Sequence, residues 1–393
     1  MIYYFNPSVE MAVRQNGLSY TPPATITQME SDLASIVMFL AKPGDYVVGE
    51  KPDAALVDMW RKIVEPPAFI DKRRAKVLIA KGEQFAPWGL SRAALHDFGL
   101  EERAKAWDWR ALLSRATSVA IETEACRILG APSPADPTLV SDFMALRAAI
   151  ERRARNGGIV LKTLWSASGR GVRFFRADEC DAALKFGEDV IGADGGLVIE
   201  RRLQRVGEFS LLFYKENESV TYIGANAYRS AERGGFGFEE IGPDALKEAQ
   251  KANCEWERDV PSALSEAIGT VMKDSRYSGA IGIDAMVCEE PNGGLLIRCC
   301  TEANLRFCMG HVAHRVSKAF APNTTARWGM VTFKKDGEWD HFASSEAAKH
   351  PLVISQQGEI AGGFFRLSGL KESARFAMCG WAGEALSDSP FAK

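Results

Sequence analysis

Residues 281–287 of this 393-residue chain read Ile281-Gly282-Ile283-Asp284-Ala285-Met286-Val287, one carboxylate inside an otherwise apolar strand. A buried carboxylate without partners is costly, so any fold of this chain must bring Asp284 a cation or donors. The strand covers residues 280–288, a Pro291-Asn292-Gly293-Gly294 turn follows, and residues 295–300 form a second strand. That pattern predicts a hairpin. With Asn292-Gly293 at the tip, Asp284 faces Thr301, and a single bulge aligns it with Glu302. Residues two apart in extended backbone share a side, so Glu302, Asn304 and Arg306 line one face. Two carboxylates and an amide oxygen then surround one point, a hard-oxygen set suited to Mg²⁺.

Composition excludes several classes. Lys plus Arg is 48 and Asp plus Glu is 51, a net charge of −3, which lacks the basic surplus of a nucleic-acid binder. Apolar residues at 46% and charged residues at 25% are ordinary for a folded soluble chain. Apolar runs such as residues 36–41 fall far short of the roughly 20 residues a membrane span needs. The first seven residues do not read as a secretory signal, and the eight cysteines form no CxxC pair. Reduced thiols in a cytoplasmic protein are therefore expected.

The first ~115 residues alternate short strands (residues 2–5, 46–49 and 75–80) with helices (29–40 and 91–98), the pattern of a parallel α/β domain. Helices are expected over 118–129 and 139–153, from Asp178 onward, twice between 244 and 273, and from Met309. Strands are expected over 159–164, 172–176 and 197–200, and an antiparallel pair over 209–215 and 220–226. The tail after Ala326 reads as a terminal extension without recognisable chemistry. Trp107 and Trp109 read as packing residues, Lys72-Arg73-Arg74 as a solvated turn, and Cys299-Cys300 as strand residues rather than nucleophiles.

Lys162 lies on a strand beside the turn Ser166-Ala167-Ser168-Gly169-Arg170-Gly171. An ammonium next to a glycine loop suits a polyphosphate, because the charge offsets phosphate and backbone N–H groups approach the oxygens. The loop is neither a Walker A loop nor a dinucleotide fingerprint. A further polar group, Glu200-Arg201-Arg202-Leu203 and then Gly207-Glu208, ends a strand that can present backbone groups to a base edge and an acid to ribose.

In chain order, Lys162, the 166–171 loop, Glu200, Gly207-Glu208, Asp284 and Glu302-x-Asn304-x-Arg306 resemble the ATP-grasp superfamily. Tyr4-Phe5-Asn6-Pro7, Tyr20-Thr21-Pro22-Pro23 and Pro87-Trp88-Gly89-Leu90-Ser91 resemble an uncharacterised bacterial branch of it, so the likeness spans residues 1–320. The resemblance implies an α/β fold with α+β lobes: an N-terminal pre-ATP-grasp domain (1–115), a central lobe (116–195), a C-terminal lobe with the metal site (196–325) and an extension (326–393). ATP lies between the two lobes. By the same resemblance Lys162 and Arg306 are catalytic. Arg115, Lys162, Ser166, Ser168, Gly169, Arg170 and Gly171 contact phosphate. Glu200, Arg201 and Leu203 form the adenine hinge, Glu208 binds ribose, and Asp284, Glu302 and Asn304 hold Mg²⁺, with Mn²⁺ as an alternative ion.

The expected activity is an ATP-dependent carboxylate–amine ligase working through an acyl phosphate on small-molecule or peptide substrates, with a homodimer compatible. No nucleic-acid or membrane partner is expected. Two other readings stand beside it. One is a phosphotransferase using His311 or His314, which i,i+3 spacing places on one helix face. The other is a nucleotide-binding module without catalysis.

Overall fold

The computed structural model describes residues 1–155, 157–166, 169–231, 235–290 and 292–392. The chain opens with β1 (Ile2–Tyr4), α1 (Val9–Gln15), α2 (Ala24–Asp32), β2 (Tyr46–Val48), α3 (Ala54–Trp60), β3 (Ala68–Ile70), α4 (Lys72–Ala80), β4 (Phe85–Pro87), α5 (Arg92–Asp97) and α6 (Glu101–Lys105). The four strands form one parallel sheet in the order β3-β2-β1-β4. This is the expected parallel α/β arrangement, in which crossovers bury both faces of the sheet.

Two local expectations are corrected. Residues 75–80 are not a strand but the body of α4: Asp71 caps its N-terminus by accepting from the Arg74 N–H, and Ala75, Leu78 and Ile79 form a buried stripe at helical spacing. The segment 29–40 is not one helix. It ends at Asp32, passes through Leu33 and resumes as a 3₁₀ turn over Ala34–Phe39. Every residue of that turn is buried, so tertiary burial outweighs helix periodicity here.

Next come α7 (Arg115–Leu129), β5 (Thr138–Val140), α8 (Phe143–Ala154), β6 (Ile159–Thr163), β7 (Val172–Phe175), α9 (Cys180–Asp194) and β8 (Leu197–Arg201). These strands make a small antiparallel sheet, β5-β8-β6-β7, with α8 and α9 packed on it around Leu146, Ile150, Leu161 and Ile199. The sheet includes β8, which ends at Arg201. In turn α7 places Ile121 and Ala125 in the core of the following lobe.

The remainder is β9 (Gln204–Glu216), β10 (Ser219–Ser230), β11 (Phe236–Ile241), α10 (Lys247–Ala252), α11 (Trp256–Val271), β12 (Gly279–Glu289), β13 (Leu295–Asn304), α12 (Met309–Val316), β14 (Ala326–Thr332), α13 (Glu338–Lys349), β15 (Val353–Ile354), β16 (Ile360–Arg366) and β17 (Phe376–Ala382). Among the described residues these strands form one sheet, β13-β12-β9-β10-β11-β14-β17-β16-β15. The segment read as an extension therefore supplies four strands to the sheet that carries the site.

That tail also anchors the N-terminal domain. Trp60 of α3 is fully buried, packs edge-on against Phe39 and Phe365, and donates its indole N–H to the Arg366 carbonyl at 2.7 Å. Asp53, the α3 cap, accepts two 2.9 Å bonds from the Arg366 guanidinium. Trp60→Ala is expected to cost about 3–5 kcal/mol of stability, the range for emptying a buried aromatic site, measured by chemical denaturation.

Candidate active site

Lys162 is the fourth residue of β6, whose five residues are all buried. A buried ammonium must be paired, and its Nζ lies 2.9 Å from Glu200 Oε1 on β8 and donates to the Thr301 carbonyl on β13 at 3.1 Å. Glu200 in turn accepts from both terminal nitrogens of Arg298, at 2.9 and 2.8 Å. Arg298 also forks onto Glu122 of α7, at 2.9 and 2.8 Å. Glu122, Arg298, Glu200 and Lys162 thus form a buried chain of alternating charge that sums to zero. Burial opposes the Glu200 charge, but Arg298 and Lys162 outweigh it and hold the carboxyl down to about 2.

The hairpin of β12 and β13 places Asp284 directly opposite Glu302 and Gly282 opposite Asn304, with the register shifting between Asp284 and Met286. The shift is the expected bulge. Asp284 Oδ1 accepts from the Ser210 hydroxyl at 2.9 Å, and Oδ2 from the Asn304 amide at 3.0 Å. Burial, then Glu302 across the ladder, push Asp284 up to about 7. Register carries this polar row on through Ser210 of β9 to Asn226 of β10. Asn226 donates its amide to buried Glu239 of β11, whose carboxyl burial pushes up to about 8. Such crowding of acid is the condition a cation relieves. Among the described residues no three His, Cys, Asp or Glu side chains gather into a metal cluster. The set is two carboxylates and an amide, which fits Mg²⁺, an ion that keeps phosphate and water in its shell.

Arg115, the first residue of α7, ties the start of the 166–171 loop to this hairpin. Its guanidinium donates to the Thr163 carbonyl at 2.6 Å and the Ser166 hydroxyl at 2.8 Å, and pairs with Glu302 at 2.8 Å. Ser168 lies outside the described residues. The end of the loop folds back through a Thr163 N–H to Gly171 carbonyl bond of 2.9 Å. A Cβ on Gly171 would stand 2.1 Å from Thr163 Oγ1 and 2.3 Å from Ser166 Oγ, so only glycine fits there. Gly169 has φ +70°, while Arg170 is exposed. Arg306 donates to Asn304 Oδ1 at 3.0 Å and to the Phe307 carbonyl at 2.9 Å, and its Nε pairs with Glu10 of α1.

The expected hinge and ribose positions are differently engaged. Glu200 points into the charge chain. The Arg201 and Arg202 amides donate to the Ala135 and Gly158 carbonyls at 2.7 and 3.0 Å. Leu203 follows at the end of β8. Glu208 pairs with Met286 and Tyr228 in the sheet and lies two residues from Ser210, on the same face. Its carboxylate accepts from the Ser230 amide and hydroxyl, each at 2.8 Å, and from Arg205 at 2.7 Å.

His311 does not offer an exposed phosphate acceptor. It is buried, accepts from the Cys308 N–H at 3.2 Å, and burial pushes it down to about 4. Cys299 and Cys300 are buried strand residues, and burial holds the Cys300 thiol well above its ordinary value. Trp107 and Trp109 pack against apolar clusters. The Lys72-Arg73-Arg74 run is the first turn of α4, with Lys72 paired to Asp97. Four side chains that hold the site carry no motif: Glu10, Glu122, Ser210 and Arg298. Arg298 nonetheless stands as a lone charge in an apolar segment, the same signal that marks Asp284.

Removing one partner of a buried charge chain leaves the others uncompensated, so Arg298→Met is expected to cost about 3–5 kcal/mol at neutral pH. The pH dependence follows from linkage. With its carboxyl held near 2, Glu200 adds stability that is present above its ordinary value and lost as pH falls through about 2. Without Arg298 the sign reverses: the folded state binds the proton more tightly than the unfolded one. The Arg298→Met deficit should therefore shrink as pH falls from 7 to 4.5, measured by urea denaturation at both values.

No family model matches the chain, and no curated protein matches it. Solved structures do. The N5-carboxyaminoimidazole ribonucleotide synthetase of Thermus thermophilus superposes with a TM-score of 0.51 at 14% identity, covering 99% of this chain and 96% of that one. An ADP complex of purK, also an N5-carboxyaminoimidazole ribonucleotide synthetase, gives 0.50 at 11% identity, covering 98% and 92%. At such identity the likeness speaks for the fold alone. The end-to-end match to these structures gives the chain their fold, the ATP-grasp fold.

Proposed function

We propose that this protein is an ATP-dependent ligase that activates a carboxylate as an acyl phosphate and joins it to an amine. One observation carries the reading. The Lys162 ammonium, from the small sheet, meets the Thr301 carbonyl, one residue from Glu302 on the large sheet. A phosphate-type cation and the acidic hairpin therefore converge at one place from two lobes. Arg115 reinforces the convergence by binding the loop and Glu302 together.

Asp284, Glu302 and Asn304 are the residues that would hold Mg²⁺, which when bound neutralises phosphate oxygens. The chain's own groups do the rest. Lys162 and Arg115 bring positive charge to the nucleotide phosphates, and the amides of the glycine loop add hydrogen bonds to the phosphate oxygens. Arg306, half-buried beside Asn304, faces the charge that develops on the transferring group. A substrate carboxylate oxygen bonds to the γ-phosphorus as the bond to the ADP oxygen breaks. The amine nitrogen then bonds to the acyl carbon, phosphate leaves, and the nitrogen loses a proton. Positioning and charge stabilisation suffice for such a reaction, without a protein nucleophile.

Incubating the protein with Mg²⁺, ATP and a panel of carboxylates and amines should release ADP and phosphate in equal amounts. Glu302→Ala should lower that turnover about 100-fold or more while the protein stays folded, and unchanged turnover would overturn the assignment. Gly171→Ala should raise KM for ATP by roughly 10-fold or more, because the added methyl displaces Ser166 and opens the loop. Steady-state kinetics with ATP varied would read this out.

A further inference from the structure

A cavity of about 410 Å³, within the range of small-molecule pockets, lies behind the end of β8. It opens between the 132–136 segment that follows α7, the last turn of α8, the end of β8 and the β12–β13 hairpin at Glu290 and Leu296. Strand periodicity separates it from the candidate active site. Glu200 faces Lys162 and Arg298, so Arg201 falls on the opposite side of β8. That is the side of Leu197 and Ile199, which pack with Leu146 and Ile150 of α8.

The lining is basic. Arg152 and Arg153 of α8 and Arg201 of β8 stand against Asp136 and Glu290, three bases to two acids. Asp136 already serves two of the bases, its Oδ2 lying 2.9 Å from Arg152 and 3.1 Å from Arg153. Arg153 is fixed, only 2% exposed and donating to the Thr138 hydroxyl at 2.6 Å. Arg201 is half-buried, yet among the described residues its side chain has neither a hydrogen bond nor an ion pair. A charge that gives up water without gaining a partner marks where a counter-charge belongs. Pro132, Pro134 and Leu296 add an apolar wall.

The ligand is therefore an anion with an organic body. A carboxylate offers two oxygens and one charge, enough for a single guanidinium fork. A phosphate monoester offers three terminal oxygens and about −1.5 to −2 charges at neutral pH, which suits a cavity with several guanidinium groups and a surplus of positive charge. We infer that this cavity binds a small phosphate monoester, its phosphate held by Arg201 and Arg152 and its organic body against Pro132, Pro134 and Leu296. The cavity wall also touches the frame of the active site. Ser133 donates its hydroxyl to Glu122, and the Arg201 amide, next to Glu200, donates to the Ala135 carbonyl at 2.7 Å. The inference does not rest on the ligase reading, because it concerns the opposite side of β8.

Calorimetric titration of the full chain with glycerol 3-phosphate and glucose 6-phosphate tests it, beside glycerol, glucose and inorganic phosphate. Each titration runs with and without excess ADP and Mg²⁺, which compete for the nucleotide cleft alone. Both esters should bind more tightly than inorganic phosphate, with affinities that ADP changes by less than about 3-fold, and the uncharged alcohols should not bind. Arg201→Met, which keeps the length of the side chain and removes its charge, should weaken ester binding at least ~10-fold. Arg152→Ser alters an exposed residue, so the protein stays folded, and it should weaken ester binding at least ~3-fold. Ester binding that ADP displaces, that equals inorganic phosphate, or that survives Arg152→Ser unchanged overturns the inference, as does an absence of binding.

Discussion

The chain Glu122–Arg298–Glu200–Lys162 is the constraint on which the rest of the site depends. Each member comes from a different element: α7, β13, β8 and β6. The central lobe meets the large sheet through it, and Lys162 reaches the acidic hairpin because Glu200 is itself held by Arg298. Buried ion pairs add little net stability against apolar replacements, but breaking one is expensive. What this chain secures is therefore geometry. This placement of the lobes satisfies all four charges and sets Lys162 beside the Thr301 carbonyl.

Around this frame, site side chains neutralise one another. Glu302 is paired to Arg115, Asn304 Oδ1 accepts from Arg306, and Arg306 leans on Glu10. Of the oxygens proposed to meet a divalent ion, those of Glu302 and Asn304 now meet guanidinium groups. An ion binding there would hand positive charge back to Arg115 and Arg306 for use on a phosphate or a carboxylate. The arrangement couples the hairpin to both the loop and the N-terminal domain without any new contact being built.

Much of this was legible in residue order. Asp284 in an apolar strand, the Pro291–Gly294 turn and the Glu302/Asn304/Arg306 alternation foretold the hairpin, its bulge and the polar face, because register and strand periodicity are local rules. The loop glycines and Lys162 were legible for the same reason. Helix α4 was misread because Val77-Leu78-Ile79 looks like a strand, whereas the buried stripe runs through Ala75, Leu78 and Ile79. The tail was read as an appendage because short strand-like pieces give no sign of which sheet they will join.

Residue order alone therefore determined the local chemistry: which strand carries the acid, where the loop bends, and that the termini of these strands are polar. Tertiary structure decided partnership. That Arg298 joins Glu122 to Glu200 across 176 and 98 residues, that Glu10 reaches Arg306 across 296, and that the tail completes the site's own sheet are outcomes of packing. A charge in an apolar segment announces that it needs a partner, but the partner is chosen by which elements share a core, and that choice is made by the whole chain at once.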